Sequence, residues 1–108
     1  MKDGLYKVHF QTPAGQGAGV VILTGGKLRG GDSSIYYSGN YAIADDQFTA
    51  KVATDAHTKL PGMASVFGVD RVTISLTGKV AGDSAQMTGT APEAPGLSFQ
   101  ATLTRISD

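Results

Sequence analysis

The residues able to do chemistry are few and scattered. Asp55 and His57 lie two apart, so in an extended strand both project from one face. With Ser65 they could be drawn as a hydrolytic triad or as part of a metal site. A triad needs a nucleophile, a base and an orienting acid held in fixed geometry, and a metal site needs three or four ligands. These residues fall at a strand end and in a loop, so solvated side chains are the expected reading. Asp45 and Asp46 are adjacent carboxylates that could share a proton if buried. At a hairpin tip they are ionised and exposed. Gly15-Gln16-Gly17-Ala18-Gly19 has the composition of a phosphate-binding loop, but it precedes a strand instead of following one and opening a helix. His9 alternates with lysine and glutamine on an outer face, and Glu93 stands alone beside prolines. No general acid, base and oxyanion site come together. The expectation is a protein that is not an enzyme and that uses no metal and no cofactor.

The aromatic residues form a more coherent set. Tyr6, Tyr37, Tyr41, Phe48 and Phe99, with Val52, Ile74 and Met87, fall on predicted inward faces. They read first as a filled core. A second reading makes them the lining of a small apolar ligand cavity, with tyrosine hydroxyls as its polar groups. Gly39, Ala50 and Gly78 on the same faces would leave room for it.

Positioning these side chains requires strands. The chain has 108 residues, fifteen of them glycine, and no cysteine. Disulfides, thiolate metal sites and thiol nucleophiles are thereby excluded. Nine basic and nine acidic side chains cancel, and the pI of 6.7 argues against direct nucleic-acid binding. No apolar run approaches the ~20 residues of a membrane-spanning helix. Met1-Lys2-Asp3-Gly4 leads straight into a strand, so no signal peptide and a cytoplasmic location are expected.

A period of two recurs along the chain. Tyr6, Val8 and Phe10 alternate with polar residues. After a loop at Pro13–Gly17, the run Gly19–Thr24 is apolar and β-branched, which reads as a strand buried on both faces. Gly25-Gly26 turns it onto Lys27–Gly31, and Asp32-Ser33-Ser34 makes a side-chain-bonded turn. Ile35–Ala44 turns at Asp45-Asp46 onto Gln47–Thr54, which places Ile43 opposite Phe48 and Tyr41 opposite Ala50. Asp70–Val80 turns at Gly82-Asp83 onto Ser84–Thr90, with Gly78 opposite Met87. Leu97, Phe99, Ala101 and Leu103 mark the last strand. Tyr37, Tyr41, Phe48, Val52, Ile74, Leu76, Met87, Phe99 and Leu103 are expected to be buried.

Residues 56–69 form the one long connection. Leu60, Met63, Val66 and Phe67 sit at near-helical spacing, so one short helical turn is expected there, covering a barrel end. Residues 1–108 then make a single all-β domain, an eight-stranded antiparallel up-and-down β-barrel that hides every apolar face and removes sheet edges. Such a barrel is filled by side chains or holds one small ligand. The Gly25-Gly26 register leaves Val20 and Ile22 pointing outward, which predicts a homodimer interface.

Asp3-Gly4-Leu5-Tyr6, the run Gly17–Leu23 and Gly30-Gly31-Asp32 with Tyr37 and Gly39 resemble the GrlR-type negative regulators of type III secretion. The likeness is clear over the first half of the chain and holds only in pattern beyond it. It implies a lipocalin-like eight-stranded barrel that dimerises and binds a transcription activator, partly through an acidic loop Glu-Asp-Glu-Asp. Here the matching tip reads Ala44-Asp45-Asp46-Gln47, so only Asp45 and Asp46 carry over as partner-binding residues. The alternative to such a regulator is a carrier or sensor of a small hydrophobic ligand in the barrel.

Overall fold

A computed structural model describes residues 1–13, 15–58, 71–93, 96 and 98–108. Eight strands follow one another: β1 (Gly4–Thr12), β2 (Gly15–Thr24), β3 (Lys27–Gly31), β4 (Ile35–Ala44), β5 (Gln47–Ala56), β6 (Val72–Ala81), β7 (Ser84–Thr90) and β8 (Ser98–Ser107). Each pairs antiparallel with the next, and β8 pairs with β1, closing the barrel. The fold is the all-β, eight-stranded antiparallel barrel expected from the alternation, and it is consistent with the lipocalin-like form that the resemblance implies. Among the described residues there is no helix, and so none long and apolar enough to cross a membrane. The helical turn expected around Leu60, Met63, Val66 and Phe67 lies outside the described residues, as do Ser65 and Leu97.

Two-residue turns fix the registers because a slip of one residue would move every apolar side chain to the solvent face. Ile43 faces Phe48, Tyr41 faces Ala50 and Gly39 faces Val52. Val80 faces Ala85, Gly78 faces Met87 and Leu76 faces Gly89. Leu23 faces Leu28 and Val21 faces Gly30. The inward set makes one core, in which Tyr6, Leu23, Phe48, Val72 and Leu103 are the largest fully buried side chains. Tyr37, Val52, Ile74, Met87 and Phe99 are also buried. Tyr41 and Leu76, expected to be buried, are only half-buried and pack on the edge of this cluster.

Three further expectations are corrected. β2 begins at Gly15, not Gly19, because the ring of Phe10 lies over Gly17; a Cβ there would be 2.6 Å from Phe10 Cε2. β2 is also not buried on both faces: Val20 is 44% and Ile22 51% exposed. The last strand runs on to Ser107. A register shift between Leu5 and Tyr6 sets Ile106 off the β1–β8 ladder as a bulge.

Curvature is carried by glycine. A Cβ at Gly30, Gly39 or Gly78 would stand 2.0 Å from the carbonyl oxygen of Val20, Lys51 or Gln86 on the neighbouring strand. At these positions the backbones approach too closely for any side chain. Gly39 and Gly78 therefore serve closure of the barrel, where the sequence had suggested room for a ligand.

At one end the connections are the short turns β2–β3, β4–β5 and β6–β7, each tied to a later strand. Tyr41 N–H donates to Gly26 O, Val80 N–H to Asp46 O and Arg105 N–H to Asp83 O, at 2.8–2.9 Å. The other end carries the Asp32 turn and the β1–β2, β5–β6 and β7–β8 connections.

Candidate functional site

The inward positions of β8 are Phe99, Ala101 and Leu103, all buried. Two residues further on, the same parity places Arg105 at the short-turn end, opposite Tyr6 in the β1–β8 ladder. Its side chain is only 19% exposed. Nη2 donates to the Asp3 carbonyl at 3.4 Å and to the Asp108 carboxylate. Nε is buried and has no hydrogen-bond acceptor among the described residues. Gly4 lies against it: a Cβ there would be 3.2 Å from Nε and 2.6 Å from the Ser107 carbonyl.

Two tyrosine hydroxyls share this end. Tyr6 donates to the Lys2 carbonyl at 2.5 Å, and Tyr41 reaches Asp3 Oδ1 at 3.5 Å. The Tyr41 ring stacks on Phe48, with centroids 5.6 Å apart and planes 2° from parallel. Met1 packs against the core cluster. Residues 1–3 are thus held by Tyr6, Tyr41 and Arg105. Burial raises the Tyr6 hydroxyl above its ordinary value; Arg105 opposes this, while Asp83, Tyr41 and Asp3 add to it. Burial likewise raises Tyr41, against a pull from the Gly26 backbone and with support from Asp3. Both hydroxyls keep their protons at neutral pH and act as donors. The sequence marks of the last strand, Leu97, Phe99, Ala101 and Leu103, stop one step short of Arg105. Continuing the period of two by one step would have found it.

At the opposite end Asp32 is a hub. Its Oδ1 accepts the N–H groups of Ser34 and Ile35 at 2.9 and 2.8 Å, and Oδ2 accepts the Tyr37 hydroxyl at 2.6 Å. Burial pushes the carboxyl up, but the Tyr37 hydroxyl, the two N–H groups and the nearby His57 together hold it below the usual carboxylate range. Burial and the Asp32 charge push Tyr37 far above the usual phenol range. His57 Nε2 lies 2.9 Å from the Asp32 carbonyl, which can only accept, so Nε2 carries a proton. His57 N and Thr58 N donate to Ser34 O, and Ser34 Oγ donates to Thr58 O. The arrangement latches the start of the β5–β6 connection onto the Asp32 turn. Asp55 instead pairs with Arg71, Oδ2 to Nη2 at 3.0 Å. His57 turns to the Asp32 carbonyl and Thr58, while Asp55 meets Arg71. Among the described residues no group of three His, Cys, Asp or Glu could hold a metal ion.

The outer wall is asymmetric. Threonine, serine, glutamine and lysine cover β5 to β7, with Thr49, Thr77 and Thr88 in one row. Across β1 to β4, Val20 and Ile22 are joined by Tyr36, 45% exposed. Gly31 stands between Val20 and Tyr36 in the ladder, and Leu5 lies beside Ile22. Asp45 and Asp46 are exposed at the β4–β5 tip, with Asp45 at φ 56° and Asp46 3.5 Å from Lys79 Nζ.

The class defined here is that of closed eight-stranded antiparallel barrels. No family model matches the chain, and no curated protein matches it.

Proposed function

We propose that this protein is a non-enzymatic binding barrel of the GrlR-type regulator kind, acting in the cytoplasm as a homodimer. The observation that carries the reading is the exposed apolar stripe of Val20, Ile22 and Tyr36, with Ile106 also exposed on β8, on a wall that is polar across β5 to β7. A closed barrel has no free edge to extend, so association uses this face. A two-fold axis across β2 would set Val20 of one copy against Ile22 of the other, a self-complementary contact. The exposed tip Asp45-Asp46 is where the resemblance places contact with a transcription activator. Asp46 lies beside Lys79, so Asp45 is the stronger of the two for a basic partner surface. Sedimentation of the wild type against Val20→Lys and Ile22→Lys tests the reading. A wild type that runs as an ~11 kDa monomer at tens of micromolar overturns it, because a micromolar dimer would be largely associated there.

A second reading, a carrier or sensor of a small apolar ligand, is favoured by one specific observation. Arg105 on the inner face keeps a buried donor without an acceptor, at the end of the barrel where Tyr6 and Tyr41 meet.

A further inference from the structure

We infer that the short-turn end of the barrel is a binding site for a small apolar molecule ending in a carboxylate, and that residues 1–3 occupy it as an internal stand-in. The inference rests on the apolar-ligand reading and specifies its head group and its place.

A ligand of this kind needs an apolar surface for its tail and converging donors for its head. Both are present and both are engaged by the chain's own first residues. Met1 supplies an apolar side chain against the core cluster. Asp3 supplies a carboxylate facing the Tyr41 hydroxyl and a carbonyl facing Arg105 Nη2. Lys2 supplies the carbonyl that takes the Tyr6 hydroxyl. Every polar group holding residues 1–3 is thus a donor that a carboxylate would also satisfy.

The fit of the stand-in is incomplete. Tyr41 meets Asp3 only at 3.5 Å, Arg105 Nη2 meets the Asp3 carbonyl only at 3.4 Å, and Arg105 Nε has no acceptor among the described residues. Leaving a buried donor unmatched is costly. A free carboxylate has two oxygens and matches the Nε–Nη2 edge of a guanidinium with two parallel bonds. It would complete what the Asp3 backbone leaves unmade. Gly4 is the pivot that makes displacement of residues 1–3 conceivable, because its φ of 153° and its missing side chain let the chain lie flat on Arg105.

Electrostatics select which anions enter. Asp3, Asp83 and Asp108 surround Arg105 and Tyr6, so a free inorganic anion is repelled by more charge than it meets. An apolar tail, replacing Met1, gives an organic acid the affinity that charge alone does not. As the ligand carboxylate enters, the Asp3 carboxylate leaves, so the local charge stays constant.

The test titrates the full chain with octanoate and with octan-1-ol, which share a tail length and differ in the head, following backbone amides and the Arg105 Nε–H by NMR. Octanoate is expected to shift Lys2, Asp3, Gly4 and the Arg105 Nε–H, and octanol to bind at least about tenfold more weakly, the scale of charge-assisted hydrogen bonds. Asp3→Ala, which removes the competing carboxylate, is expected to tighten octanoate several-fold. Arg105→Gln, and independently Tyr41→Phe should the first variant fail to fold, is expected to narrow the gap between the two probes. Equal binding of octanoate and octanol to the wild type overturns the carboxylate site and leaves the apolar-ligand reading standing. Binding of neither probe, to the wild type or to Asp3→Ala, overturns both.

Discussion

The Tyr37 hydroxyl donates to Asp32 Oδ2 across 2.6 Å, tying a buried ring of the barrel to the turn that precedes its strand. The same carboxylate accepts the Ser34 and Ile35 N–H groups, so one side chain closes the β3–β4 connection and satisfies an interior phenol. Asp32→Ala leaves these donors without their acceptor and should cost about 2–3 kcal/mol in urea unfolding at pH 7. Tyr37→Phe, which removes donor and contact together, should cost less.

The same pair sets a pH dependence. The Asp32 carboxyl is held below its ordinary range in the folded state. Its contribution is therefore complete above the unfolded carboxylate value, near 3.9, and is lost as pH falls through the lower folded value. The stability gap between the wild type and Asp32→Asn should be widest at neutral pH and should shrink between about pH 4 and pH 2. A gap unchanged at pH 2 would show that the charge of Asp32 contributes nothing.

Closure of the barrel depends on bare backbone. Gly39→Ala and Gly78→Ala place a Cβ 2.0 Å from a carbonyl oxygen of the next strand. Each should destabilise by about 3 kcal/mol or prevent folding, the upper range for overpacking. Thermal unfolding of these variants beside Ala42→Gly, at an exposed position of β4, the strand of Gly39, measures the difference.

Core position should govern truncation cost. Ile74→Ala at a buried site should lose about 2–5 kcal/mol. Leu76→Ala, two residues on but half-buried, should lose clearly less. Equal losses in denaturant melts would mean that Leu76 is as enclosed as Ile74.

Arg105 should show function and stability in opposition. Arg105→Met keeps the length of the stem and removes a buried donor that no acceptor meets. Replacing such a group by an apolar one is often neutral or stabilising. The melting temperature of Arg105→Met should therefore equal or exceed that of the wild type, although two bonds, to Asp3 and Asp108, are lost.

Most of the fold was legible because two-residue turns leave few choices. Once Asp45-Asp46 and Gly82-Asp83 are read as turns, the pairs Ile43–Phe48 and Val80–Ala85 follow, and with them the inner face of four strands. The bonding of Asp32 to its own turn was legible for the same local reason. Gly15–Ala18 was not, since its composition is that of a loop; what makes it a strand is aromatic cover from Phe10 over Gly17, which comes from β1. Tyr41 misled through position: its parity is inward, but it lies where the barrel opens. Arg105 is hidden by its type, since an inward period of two is traced by apolar residues, although the alternation of Phe99, Ala101 and Leu103 continues through it. The outward Val20 and Ile22 were legible from the register of Gly25-Gly26 alone, even though the apolar run suggested burial on both sides.

The pairing of β1 with β8 also fixes the tempo at which the ring can assemble. Hairpins such as β4–β5 and β6–β7 join neighbours in sequence and can form on the microsecond scale of isolated hairpins. The last seam joins Leu5 to Ser107 and Tyr6 to Arg105, residues at opposite ends of the chain, and its loop entropy must be met before any of its bonds contribute. Until that seam closes, both β1 and β8 present unpaired edges. A nascent chain therefore carries its greatest hazard of intermolecular strand pairing after seven strands exist and before the eighth arrives.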